Sequence, residues 1–244
     1  MAINKDSNGY TFLFAILLVV VVGSGLAAVS MGLKERQEKN TEVKKKMDIL
    51  NALKVKQVKD GDTLDISRKN AEMLYDQYIL TDECLVLNAE GDVIPGEVAF
   101  DINIKKQYRD KTTDPADRMY PLYVASLDGS KKYVIPVVGS GLWGPIWGYL
   151  AIDEDQRSIY GATFDHKTET PGLGAEIKQE FFYEQYDSEV ISEDGEYKKI
   201  KVVKDGTGDQ MHRVDGITGG TITSKGVEEM VDRTVKVYVK YFNK

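Results

Sequence analysis

The apolar positions of the chain fall into three regimes. From Ser7 to Leu33 no residue is charged, and Phe12 to Val22 is an almost unbroken aliphatic and aromatic run. That exceeds the roughly 20 residues a helix needs to cross the hydrocarbon core, so the pattern predicts a membrane-spanning helix. A cleaved signal peptide is the competing reading, because Ala28-Val29-Ser30 resembles a small-residue cleavage site. Its apolar core would cover only about 7–15 residues behind a clearly basic start, whereas here Lys5 is cancelled by Asp6. The pattern therefore predicts a permanent anchor, with residues 1–9 a short tail and 10–33 the span. From Lys34 to Val55 the chain is charged and then amphipathic through Met47, Ile49, Leu50 and Leu53. This predicts a helical extension over residues 34–58 with a solvated charged face.

Residues 59–244 read as one domain of mixed elements. Asp60 to Tyr78 combines loop and helix signals, with a helix predicted over Ser67 to Tyr75. After Asp82 the period changes to that of strands. Cys84 to Leu87 and Val93 to Val98 flank Glu90-Gly91-Asp92 as a hairpin. Met119 to Ser126 and Lys131 to Val138 flank Leu127-Asp128-Gly129-Ser130, where Asp-Gly favours a tight turn. Trp147 to Ile152 and Ser158 to Phe164 form a further pair around Asp153-Glu154-Asp155-Gln156. Ala175 to Tyr186 reads as a helix with Ile177, Phe181 and Phe182 on one side, and Tyr197 to Val203 as a late strand. The last pattern, Val227, Met230, Val231, Thr234, Val235, Tyr238, Tyr241 and Phe242, is an amphipathic helix over Ser224 to Phe242. Antiparallel runs of strands with helices between them make the fold class α+β: one N-terminal transmembrane helix, then a single domain with an antiparallel sheet and flanking helices.

Composition narrows the chemistry. The net charge of −7 in 244 residues argues against nucleic acid, whose phosphates need a basic surface. Cys84 is the only cysteine, which excludes an internal disulfide and four-cysteine iron–sulfur or zinc sites. In the run Cys84-Leu85-Val86-Leu87 it reads as a buried apolar thiol. His166 and His212, the only histidines, make a poor metal site.

Three constellations remain. The first is Asp215-Gly216-Ile217-Thr218-Gly219-Gly220-Thr221-Ile222-Thr223-Ser224. Glycines here permit sharp turns and close approach, and four hydroxyls crowd a loop that opens onto a helix N-terminus. Such an end offers free N–H groups and a positive dipole to a phosphate. Glu228 and Glu229 are read as first-turn acids favoured by that dipole. The alternative is a plain N-cap at Thr223 or Ser224 after a glycine turn. The loop lacks both the Gly-x-x-x-x-Gly-Lys-Ser/Thr lysine and the Gly-x-Gly-x-x-Gly spacing. The second, Gly139 to Tyr149, holds both tryptophans among glycines and Pro145. It is either a loop presenting a flat apolar surface to a planar ring or an aromatic corner buried beneath a sheet edge. The third, Thr168-Glu169-Thr170-Pro171-Gly172-Leu173-Gly174, is either a ligand loop or a turn into the next helix.

Thr218-Gly219-Gly220-Thr221-Ile222-Thr223 resembles the Ser/Thr-Gly-Ala-Thr-x-Thr flavinylation motif of the FMN-binding domain family, with Gly220 where the family usually has Ala. Gly141-Leu142-Trp143-Gly144-Pro145 and Glu169 to Gly174 are similar to two further segments of that family, in the expected order. The resemblance implies a covalent FMN, its phosphate esterified to Thr223. Asp215, Thr218, Gly219, Gly220, Thr221 and Ser224 would form the phosphate loop. Leu142, Trp143, Gly144, Glu169, Thr170, Pro171, Gly172, Leu173 and Gly174 would form the flavin-ring pocket. The family occurs in flavin-carrying subunits of Na+-translocating NADH:quinone oxidoreductases and of Rnf-type electron-transport complexes, and the whole-chain layout is nearest the former. The implied role is electron relay from NADH toward quinone, coupled to Na+ export, in a bacterial inner membrane. Implied partners are flavin, iron–sulfur and integral membrane subunits, a flavin transferase during maturation, and the lipid bilayer. A membrane-anchored sensory domain that binds its ligand reversibly is the alternative from another class.

Orientation is the one conflict. Lys34, Arg36, Lys39, Lys44, Lys45 and Lys46 after the span outnumber Lys5 before it. The positive-inside rule then puts the domain in the cytoplasm, whereas the resemblance implies the outer, periplasmic face.

Overall fold

The computed structural model describes residues 7–59 and 62–244, with backbone alone at 58, 59 and 62–64. Residues 1–6, Lys5 among them, and residues 60–61 lie outside the described residues. The chain divides into two compact units, Met1–Lys45 and Lys46–Lys244. Helix α1 (Asn8–Ala52) is continuous. It is long and apolar enough to cross a membrane, and every side chain from Phe12 to Leu33 is exposed, as a lipid-facing helix requires. Its last residues belong to the second unit, where Ile49, Leu50 and Ala52 are fully buried.

Beyond a short hairpin of β1 (Gln57–Lys59) and β2 (Asp62–Leu64) comes helix α2 (Ala71–Tyr78). Strand β3 (Leu85–Leu87) and the small helix α3 (Ile104–Arg109) precede the main sheet strands. These are β4 (Tyr120–Leu127), β5 (Ser130–Ser140), β6 (Pro145–Ile152) and β7 (Ile159–His166). The order β3-β4-β5-β6-β7 is antiparallel throughout, each strand beside the next in sequence. The predicted β4–β5 turn forms with Asp128 and Gly129 both at positive φ, which matches the right-handed twist of the flanking strands.

The helix predicted over Ser67 to Tyr75 runs instead over Ala71–Tyr78, and the helical extension predicted to residue 58 ends at Ala52, ahead of β1. Three further predicted elements differ in kind. Val93 to Val98 makes no strand: Val93 forms a single bridge to Leu87, and Pro95, which has no N–H, ends the pairing. The Asn88 carboxamide closes this loop by accepting from the amides of Glu90 and Asp92. The predicted helix over Ala175 to Tyr186 is three short pieces. A 3-10 turn (Gly174–Lys178) and α4 (Glu180–Tyr183) meet at Gln179, whose extended ψ of 149° breaks the helix; a second 3-10 turn, Glu184–Tyr186, follows. The break buries Ile177 and Phe182 and turns Phe181 to solvent. The late strand is divided too, into the hairpin β8 (Ser192–Glu193) and β9 (Glu196–Tyr197), then β10 (Lys201–Val203). Strand β10 runs parallel to β11 (Arg213–Asp215).

Helix α5 (Thr221–Phe242) closes the core. Its Val227, Met230, Val231, Val235 and Tyr238 pack in one cluster with Leu122, Ile135, Val137, Ile146 and Leu150 of the sheet. Burial stabilises each such side chain by about 1.5–3 kcal/mol relative to exposure. Gly226 sets the closeness of helix and sheet, since a Cβ there would stand 2.3 Å from the Ser140 carbonyl oxygen. The start of α5 is thereby held against the β5–β6 connection.

Candidate functional site

The glycine loop leaves β11 and turns directly into α5. Gly216 N–H donates to Val203 O at 2.8 Å, Gly220 N–H to Ile217 O at 2.9 Å, and Ser224 N–H to Gly220 O at 2.9 Å. Gly219 takes a positive φ of 76°, and a Cβ there would sit 2.5 Å from Leu173 Cδ2. The helix begins at Thr221 with Gly220 as N-cap, and no side chain caps it. Neither Thr223 nor Ser224 is therefore the N-cap that a plain glycine turn would make of it. Thr223 stands third in the helix, beside the first-turn N–H groups that no carbonyl within the helix can reach. Starting the helix at Thr221 also moves Glu228 and Glu229 out of the first turn, which holds no acid.

The hydroxyls divide by role. Ser224 Oγ accepts from Ile217 N at 3.0 Å and donates to Gly220 O at 3.0 Å, bracing the loop from inside. Thr223 Oγ1 points away from the loop and donates to Glu169 Oε2 at 2.6 Å. Thr218 is exposed and Thr221 half-buried.

Glu169 joins all three constellations. It is 5% exposed and Thr223 only 1%. The second carboxylate oxygen, Oε1, accepts from the Trp143 backbone amide at 2.8 Å. Glu169 N–H in turn donates to His166 Nδ1 at 3.1 Å, and Thr168 Oγ1 to Trp143 O at 2.9 Å. Two glycines make room: a Cβ on Gly141 would lie 2.6 Å from Glu169 Oε1, and one on Gly174 would lie 2.4 Å from Thr223 Oγ1. The Thr168–Gly174 segment turns into the 3-10 helix Gly174–Lys178, and among the described residues Glu169 has a hydroxyl and an amide for partners rather than a cation.

The surface around this buried pair is apolar. Leu142, Trp143, Leu173 and Ile222 are exposed, Trp143 by 66%. Trp143 thus stands at the surface and not in a buried aromatic corner. Trp147, on β6, is half-buried with Lys105 Nζ 3.2 Å from its ring centroid. Thr170, Pro171 and Gly172 lie at the exposed outer bend, Gly144 is half-buried, and Gly174 is buried. Asp215 stands apart, with its carboxylate turned to accept from Gly208 N at 3.1 Å.

Two contributors lie beyond sequence reasoning. His166 reads from sequence only as a weak metal ligand, although it lies three residues before Glu169. Glu228 reads as a dipole acid, yet it ties α5 to β10 by accepting from Val202 N at 2.7 Å and Lys225 Nζ at 2.6 Å. Burial acts to raise its pKa, but those two bonds and Lys199 outweigh burial and hold the carboxyl below the usual glutamate value.

The FMN-binding domain family matches residues 141–236, which contain Trp143, Glu169 and Thr223. A solved structure of the C subunit of Na+-translocating NADH-quinone reductase from Parabacteroides distasonis is 37% identical, covers 87% of this chain and 98% of its own, and superposes with a TM-score of 0.73. The chain belongs to this family of C subunits. Other members include the C subunit of Yersinia pestis, 28% identical over 92% of this chain and 87% of that one. The C subunit of Vibrio anguillarum is 29% identical over 95% and 92%. The Shewanella oneidensis protein, at 20% identity and a TM-score of 0.62, shares the C-subunit fold. In this chain one apolar helix leads into the sheet domain, and the matched region ends within α5.

Proposed function

We propose that the chain is the FMN-carrying C subunit of a Na+-translocating NADH:quinone oxidoreductase, with the flavin phosphate esterified to Thr223. The observation that carries this reading is the meeting of the three segments at one point: the Thr223 hydroxyl, in the first turn of α5, lies on Glu169 beneath the Trp143 and Leu173 loops.

The residues present suit FMN. The first-turn amides of α5 would hold the phosphate, and exposed Trp143, Leu142 and Leu173 would bear the isoalloxazine ring. Among the described residues, Trp147 Nε1 and His166 Nε2 near these loops are buried polar atoms without a partner. FMN when bound supplies redox chemistry that accepts electrons singly or in pairs. The chain's own part is to fix the ring's position and restrict water at the phosphate end, where Thr223 is buried.

Residues 10–33 cross a bacterial inner membrane, with the domain on the periplasmic side, where a covalent bond prevents loss of cofactor. NADH and iron–sulfur binding lie in partner subunits, since the chain has one cysteine and no dinucleotide fingerprint. Denaturing gel electrophoresis under ultraviolet light tests the central point. Protein co-expressed with a flavin transferase gives a fluorescent band that Thr223→Val abolishes. A dark wild-type band overturns the reading and leaves a reversible ligand-binding domain. Protease added to sealed spheroplasts tests the topology, and a protected domain contradicts the periplasmic placement.

A further inference from the structure

We infer that Glu169 is the chain's own proton acceptor for the esterification of Thr223, and that it keeps the proton afterwards. The inference rests on the phosphoester reading above and deepens it. The starting geometry is in place: Thr223 Oγ1 donates to Glu169 Oε2 at 2.6 Å, with both side chains buried. An aliphatic hydroxyl is a weak nucleophile until a base removes its proton, and a base must stand within hydrogen-bond reach of it. Glu169 is the side chain that receives this hydroxyl's proton.

The chemistry fixes the donor by class. An alcohol does not displace water from a phosphate monoester at neutral pH, so the flavin arrives with its phosphate in an anhydride bond, as in a flavin dinucleotide. As the Oγ1–P bond forms, the P–O bond to the nucleoside monophosphate breaks and its electron pair leaves with that phosphate. The hydroxyl proton passes to Glu169 Oε2. No oxidant or reductant enters.

The product geometry argues for retention. Once esterified, Thr223 Oγ1 has no proton to donate. An ionised Glu169 would then face an ether-type oxygen and a phosphodiester anion at close range in a buried site, and like charges so placed repel strongly. Among the described residues no lysine or arginine is paired with Glu169, so no cation offsets that repulsion. A protonated carboxyl removes it by donating to the ester oxygen, so one proton bridges the same two oxygens before and after. The other oxygen, Oε1, keeps its bond from Trp143 N throughout, which holds the carboxyl in place.

The test uses the full-length chain, purified in detergent from cells without a flavin transferase, then mixed with purified transferase and flavin adenine dinucleotide. Loading is followed by intact mass, and melting of each unloaded variant is recorded. Glu169→Gln preserves the shape and can still accept from Trp143 N, but it cannot take a proton. It is expected to melt like wild type and to load ~100-fold or more slowly. Loading of Glu169→Gln at the wild-type rate overturns the inference while leaving the phosphoester intact. A second measurement covers the case in which Glu169→Gln fails to fold. Infrared difference spectra of loaded minus unloaded wild type, with isotope-labelled glutamate, are expected to gain a protonated carboxyl C=O band. A loaded protein whose glutamates are all ionised overturns the inference. Wild type that gains no mass removes the phosphoester reading instead.

Discussion

Ser224 Oγ stands 3.0 Å from the Ile217 amide nitrogen and accepts its hydrogen bond, while the neighbouring hydroxyl of Thr223 reaches out of the loop altogether. Adjacent positions on the helix thus separate the brace of the loop from the hydroxyl proposed to carry the flavin. Ser224→Ala leaves the buried Ile217 N–H without its acceptor, which costs about 1–3 kcal/mol. Chemical denaturation should show that loss, while the flavin-derived mass increment on the folded variant persists.

Gly174 and Gly172 give a paired prediction. A methyl at Gly174 would enter the space of Thr223 Oγ1 and Glu169 Oε2, at 2.4 and 2.6 Å. Overpacking of this kind costs about 1–3 kcal/mol, and it displaces the hydroxyl from its partner. Gly172 has a positive φ of 75° with open space around it, so Gly172→Ala carries only about 1–2 kcal/mol of backbone strain. Loading rates should fall sharply for Gly174→Ala and stay near wild type for Gly172→Ala.

Much of this architecture is legible in the sequence because it is local. The uncharged run marks the anchor, Asp128-Gly129 its hairpin, and the 3.6-residue spacing from Val227 marks α5 and its buried face. The three site segments are also visible one by one, through clusters of glycine, hydroxyl and aromatic residues. Their junction is not, because Thr223 and Glu169 meet across 54 residues, and no period or propensity encodes such a contact. Boundaries fail where a single backbone torsion decides them. The extended Gln179 cuts one predicted helix into pieces, and a helix start at Thr221 instead of Ser224 puts Thr223 in the first turn.

Glu228 predicts a pH dependence of stability. Its carboxyl is held below the usual glutamate value in the folded chain. Between that value and the ordinary one the unfolded chain binds more protons, so stability rises with pH across the window. The contribution is complete above the usual glutamate range and is lost as pH falls through the folded value. From neutral to acidic pH, the unfolding free energy of Glu228→Gln should therefore fall less steeply than that of wild type. The variant should also loosen α5 from β10, visible as faster amide exchange at Val202.

Trp143 separates ring contact from folding. Its side chain is largely exposed while its amide holds Glu169. Trp143→Ala keeps that amide, so unfolding free energy should change by no more than about 0.5 kcal/mol, as for other surface substitutions. The visible absorption and fluorescence of the loaded flavin should shift, because an aromatic face is removed from the ring's surroundings.

The bond at Thr223 is the claim on which the rest depends, and intact mass reads it directly. Protein co-expressed with a flavin transferase should exceed its polypeptide mass by FMN less one water. Thr223→Ser should keep that increment and Thr223→Val should lose it. A wild-type chain weighing only its amino acids, or a Thr223→Val chain carrying the full increment, would contradict the account.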